Sequence, residues 1–185
     1  MSKFVPADML KEWQDLADRV ADAAKISAAL VMRVWPKQIE VLVASQGENN
    51  PYGTHEKADL GTGLYCETVM NTGRPLRVPN ALNDPAWATN PDVKLNMISY
   101  LGIPLIWPDD TIFGTVCVLD RQPRRFDNAT LHLLQALKAV IEEDFRWLAS
   151  GQTITPERHG PQWQTFENCI AAFDRNIPTA RRRTR

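Results

Sequence analysis

Ile103-Pro-Leu-Ile-Trp-Pro-Asp-Asp-Thr-Ile-Phe-Gly-Thr-Val-Cys-Val-Leu-Asp120, followed by Pro123-Arg-Arg-Phe-Asp127, decides the fold of this chain. Two apolar runs rich in β-branched residues meet at the polar turn Pro108-Asp109-Asp110, the pattern of a strand, a turn and a returning strand. After Asp120 the apolar period lengthens to that of a helix. Asp127 is placed to cap that helix, with Phe126 before it and Leu131 in the first turns positioned for a hydrophobic staple. The helix runs from Asn128 to Ala149 and stops at Ser150-Gly151.

Toward the amino terminus, Met9, Trp13, Leu16 and Val20 recur at three and four and predict a first helix over Ala7 to Ala24. Ala28 to Val34 and Ile39 to Ala44 are short apolar runs separated by Trp35-Pro36-Lys37-Gln38, hence a first hairpin. Gln46 to Thr62 contains Gly47, Asn49, Asn50, Pro51, Gly53 and Gly61 and has no period, so it reads as a loop. A second helix is expected from Gly63 to Asn71, closed by Gly73 and Pro75. Leu76-Arg-Val78 is a short strand, and Asn90-Pro91 opens a short helix ending before Ser99.

Gly63-Leu-Tyr-Cys-Glu-Thr-Val-Met70, Thr72-Gly-Arg-Pro-Leu-Arg-Val-Pro-Asn-Ala81, Asp84-Pro-Ala-Trp87 and Met97-Ile-Ser-Tyr-Leu-Gly-Ile-Pro-Leu105 precede the hairpin and helix in that order. Together they resemble the GAF domain, the small-ligand and signalling module of bacterial sensor kinases, diguanylate cyclases and phosphodiesterases. The resemblance covers residues 8 to 150. It departs from the family at Asp110, where the hairpin usually carries glycine; aspartate tolerates the left-handed backbone such a turn uses. It implies an α+β, profilin-like fold, with an antiparallel sheet of five or six strands in the order 2-1-5-4-3. The terminal helices lie on one face, the short helices and loops on the other. It also implies a pocket between the sheet and the loops around residues 46 to 62 and 81 to 98. Tyr65, Cys66, Trp87, Met97, Tyr100, Thr115 and Cys117 are then the ligand-binding candidates. Strand alternation puts Thr115 and Cys117 on one side of the sheet without saying which.

Composition sets the frame for function. A chain of 185 residues, 44% apolar and 23% charged, with a formal net charge of -1, is ordinary for a globular protein and points to no charged partner. No apolar run is long enough to cross a bilayer and the amino terminus does not read as a signal peptide, so a cytoplasmic protein without membrane contact is expected. Cys66, Cys117 and Cys169 are three in number and lack metal-ligand spacing, which fits reduced thiols. His55, His132 and His159 stand apart in a loop, a helix and a linker. No nucleophile has a base at a diagnostic spacing, and no phosphate loop, kinase or cyclase signature or zinc pattern is present. Glu12, Glu142 and Glu143 read as solvated helix faces.

The resemblance implies a sensory role in place of catalysis, with a small molecule or a partner protein as the stimulus. Val93-Lys-Leu-Asn-Met-Ile-Ser99 lacks the cysteine that tethers bilin in pigment-binding relatives, and the residue set of cyclic-nucleotide-binding relatives is not assembled, so no cofactor is named. The alternative is a GAF-fold enzyme of the free methionine sulfoxide reductase type, working through Cys66 or Cys117. The placement of both thiols on apolar segments favours a structural role for them.

On the long helix, Leu131, Leu134, Ile141, Phe145 and Leu148 form one apolar stripe, and Leu133, Leu137, Val140 and Trp147 form a second. One stripe suffices to cover a sheet. The surplus either fits a curved sheet within the one chain or, with the Trp13 side of the first helix, packs against the same helices of a second subunit, the mode the GAF resemblance implies; the second is expected, and with it a homodimer acting on an output protein such as a kinase or diguanylate cyclase. The domain is taken as residues 1–150 of a stand-alone protein, with a linker over 151–160 and a tail over 161–185. In the tail, Trp163, Phe166, Ile170 and Phe173 share one helical face, which either folds back on the domain, as we expect, or docks on a partner. The basic end Arg181-Arg-Arg-Thr-Arg185 reads as solvated tail rather than a nucleic-acid site.

Overall fold

The computed structural model describes residues 3–151 and 160–175. Six antiparallel strands form one sheet: β1 (Ala28–Val34), β2 (Gln38–Ala44), β3 (Lys57–Asp59), β4 (Leu76–Val78), β5 (Ser99–Ile106) and β6 (Ile112–Asp120), ordered β3-β2-β1-β6-β5-β4. This is the expected order with one addition. Lys57–Asp59, inside the segment read as a loop, pairs with Gln38–Glu40 and becomes an edge strand. Its residues are all exposed and only three in number, too few for alternation to register.

The deciding hairpin is β5-β6, with Asp110 in the left-handed region at φ 63°. Asp127 caps helix α3 (Asn128–Ser150) by accepting from the Thr130 amide at 2.9 Å. Phe126 and Leu131 both join the core beneath that helix. Helix α1 (Ala7–Ala24) packs beside α3 on the same sheet face. Between them Trp13 donates its Nε1–H to Asp144 at 2.7 Å and meets the Phe145 ring edge-on at 5.8 Å. Helix α2 (Tyr65–Thr72), two residues later in starting than expected, lies on the opposite face and ends at Gly73 in a left-handed cap, φ 63°.

The tail folds back. Helix α4 (Gly160–Arg175) packs on α1 and α3, burying Phe166 completely. Arg19 of α1 holds Glu167 of α4 through two hydrogen bonds of 2.8 and 2.6 Å and lies over the Phe166 ring. Both apolar stripes of α3 are buried or half-buried within the single chain. Helix α4 therefore lies against the two helices expected to meet a second subunit. The linker and the basic end lie mostly outside the described residues. Glu142 corrects a smaller expectation: it is not simply solvated, since it accepts from the Ile106 amide at 2.8 Å and pairs with Lys138, clamping α3 to the end of β5. Among the described residues, no helix is long and apolar enough to cross a membrane.

Candidate functional site

The sheet separates two apolar cores. On β6, Val116 and Val118 face the helices, whereas Thr115, Cys117 and Leu119 face the loops, which settles the side left open by alternation. The loop side is not filled solid. A cavity of about 230 Å³ lies between β1, β2, β5 and β6 on one side and, on the other, the segment from Tyr52 to Ala58 and the short 3₁₀ helix Pro91–Leu95. Its wall is largely aliphatic, from Leu30, Met32, Ile39, Val41, Leu95 and Leu119.

Of the seven residues chosen from the sequence, Cys66, Tyr100 and Cys117 line this cavity. Thr115 is fully buried beside it, donating to Cys66 Sγ at 3.3 Å. Tyr65, Trp87 and Met97 form its flank instead. Tyr65 stacks on Tyr100 with centroids 4.8 Å apart, leans on Trp87 at 5.4 Å and donates to the Met97 carbonyl at 3.3 Å. This plug keeps the Tyr100 ring in place.

Cys66 is less inert than its apolar helix implies. A hydrogen bond from Cys117 is the main influence that holds its thiol below the ordinary cysteine value; burial opposes this, and bonds from Thr115 and Tyr100, the latter at 3.4 Å, add to it. Cys117 is pushed the other way, by burial and then by Cys66. No cation takes part, so the usual sequence cues for a reactive cysteine are missing. The pair became visible only when α2 and β6 met.

Two polar residues that sequence reasoning missed complete the site. Asp92, near the start of the 3₁₀ helix, sits at the cavity and accepts the Tyr52 hydroxyl at 2.7 Å. Burial raises its carboxyl above its ordinary value, against the Tyr52 hydrogen bond. Its backbone is fixed on both sides: Asn90 accepts from the Asp92 amide at 2.9 Å, and the Asp92 carbonyl takes the Met97 amide at 3.0 Å. Asn90 also donates to the Gly63 carbonyl at 2.7 Å, tying this turn to the loop before α2. That loop is held in turn by Glu67, whose carboxylate gathers the amides of Gly61, Thr62, Gly63 and Leu64 at 2.6 to 3.2 Å. The Asn90-Pro91 signal was legible as a helix start, but nothing local says that the second residue after Asn90 faces a cavity. Among the described residues, no cluster of side chains is arranged to hold a metal ion.

The comparisons with known proteins agree with this architecture. The structure is similar to the GAF domain of PixJ from Thermosynechococcus elongatus in its blue-light-absorbing form, at 15% identity and TM-score 0.63, covering 78% of this chain and 90% of that one. It is equally similar to the free methionine-R-sulfoxide reductase of Neisseria meningitidis solved with its substrate, at 14% identity and TM-score 0.63, covering 80% and 83%. The GAF domain of the Acinetobacter phosphoenolpyruvate-protein phosphotransferase follows at 17% identity and TM-score 0.57, covering 77% and 85%. At such identities the likeness is one of fold. No curated protein matches the sequence significantly. The family model of the GAF domain matches residues 8–143, and with the six-stranded sheet and its two apolar faces it shows that the chain belongs to the GAF-domain family.

Proposed function

We propose that this protein is a cytoplasmic sensory module that binds a small molecule in the cavity and passes the change to a separate output protein, such as a kinase or a diguanylate cyclase. The observation that carries this reading is the cavity itself: about 230 Å³ on the loop side of the sheet, lined mostly by aliphatic side chains and bordered by polar ties. A concave, mainly apolar recess with a few polar groups at its wall is the usual form of a small-molecule site. The route outward is short. Alternate side chains of β1, β5 and β6 contact the cavity on one face and the α1–α3–α4 layer on the other. Helix α4 lies against α1 and α3, the helices on which the expected homodimer was to form, so a dimer through them would include α4 in its interface.

The test is ligand screening by thermal shift on the full chain, beside a Leu30→Phe variant that fills the cavity. A ligand raises the melting temperature of the wild type by mass action and not that of the filled variant. If nothing in a broad metabolite panel moved the wild type, the reading would fail.

A second reading rests on the hydrogen bonds gathered at Cys66. Three neighbours, Cys117, Thr115 and Tyr100, stabilise a thiolate at the cavity wall, the arrangement a cysteine-based reductase needs. Under it, Cys66→Ala abolishes consumption of methionine sulfoxide while leaving the fold intact. A wild-type chain without turnover in the presence of a dithiol reductant removes this reading.

A further inference from the structure

The cavity has one feature that packing alone does not explain. Asp92 is a half-buried acidic side chain in its wall, and the Tyr52 hydroxyl donates to its Oδ1. No ion pair among the described residues includes Asp92. The basic residue that borders the cavity, Lys57, carries its ammonium over the Trp35 ring, 5.4 Å from the centroid, and the remaining charged neighbour is Glu56, itself acidic. A carboxylate partly withdrawn from water without a counter-charge costs free energy, and a cation that reaches it offsets part of that cost. The side chain is also pre-aimed, since Asn90 and Met97 fix its backbone and Tyr52 its rotamer.

We propose that the occupant of the cavity is a small, mainly apolar molecule bearing a protonated amine, its hydrocarbon part against Leu30, Val41 and Leu119 and its ammonium on Asp92. This deepens the sensory reading above and rests on it. The aliphatic wall selects the body of the ligand, and Asp92 selects its charge. Anionic molecules are excluded by the same carboxylate, and sugars or nucleotides by the scarcity of polar partners on the wall.

The experiment compares matched probes on the full chain by calorimetry and thermal shift: alkyl and arylalkyl amines, the alcohols of the same carbon skeletons and the corresponding carboxylates. Amines are expected to bind about thirtyfold or more tightly than their alcohols, the span of a partly buried charge pair, with carboxylates weakest. Asp92→Asn, which keeps an acceptor for Tyr52, should erase the preference for amines and leave the alcohols unaffected. Alcohols or carboxylates binding the wild type as tightly as the amines would overturn the ligand class while leaving the cavity as a binding site. Absence of binding by all three series would overturn the cavity reading as well. The comparison of amine with alcohol is made on the wild type, so it decides the matter even if the variant fails to fold.

Discussion

Tyr100 reaches Cys66 because residue 102 has no side chain: a Cβ on Gly102 would stand 1.9 Å from the Tyr100 hydroxyl oxygen. Gly102→Ala must therefore push Tyr100 off Tyr65 and away from Cys66. The expected loss is about 1–3 kcal/mol, the range for overpacking a tight core, read by denaturant unfolding. The same variant should slow alkylation of Cys66, because one of the bonds that lower its thiol is gone. Unchanged stability would mean that the tyrosine is not held as described. At this scale the sequence was partly legible. Tyr65, Cys66, Tyr100 and Cys117 stand out as polarisable or aromatic residues on apolar elements. Asp92 and Tyr52 do not, since an aspartate after Asn-Pro and a tyrosine after Pro51 are ordinary loop residues until the fold brings them within 2.7 Å.

Helix α4 shows what an element's pattern can and cannot tell. Trp163, Phe166, Ile170 and Phe173 at spacings of three and four state that one face is buried. Where it is buried depends on a surface elsewhere in the chain, and α1 and α3, the helices read as an interface between subunits, provide that surface. Phe166→Ala should cost about 3 kcal/mol or more, as for a fully buried aromatic. Glu167→Gln should cost under about 1 kcal/mol, because the pair with Arg19 is about a third exposed. Truncation after Ser150 should lower the melting temperature and promote association through the uncovered face of α1 and α3. A truncated chain as stable as the intact one would contradict this packing. At the other end of α3, the cap makes a pH-dependent contribution. The Asp127 carboxyl lies below its usual value chiefly through the Thr130 amide, so its stabilisation is complete above the unfolded-state pKa and is lost as pH falls through the folded one. Asp127→Ala should remove about 1 kcal/mol at neutral pH and progressively less in acid. A loss independent of pH would show that the carboxylate is not the cap.

For the whole molecule, the sheet is a partition. Its helical face is sealed by α1, α3 and α4, and its loop face keeps a cavity with a carboxylate in its wall. The partition was legible as a fold because hairpins, caps and helix periods are local and the strand order followed from the family pattern. The sides of the partition were not, because both faces of β1, β5 and β6 are apolar and alternation between hydrophobic and polar residues is absent. With α4 packed against α1 and α3, the wild type should sediment as a monomer; a dimer that persists on dilution would mean that the chains pair through α4 or another surface. The central claim is that the cavity is a binding site, and native mass spectrometry of the full chain purified from its own host addresses it most directly. The account predicts a noncovalent adduct of a small molecule, lost on mild activation and diminished in Asp92→Asn. A chain that shows only its bare mass, even after incubation with an extract of host metabolites, would contradict it.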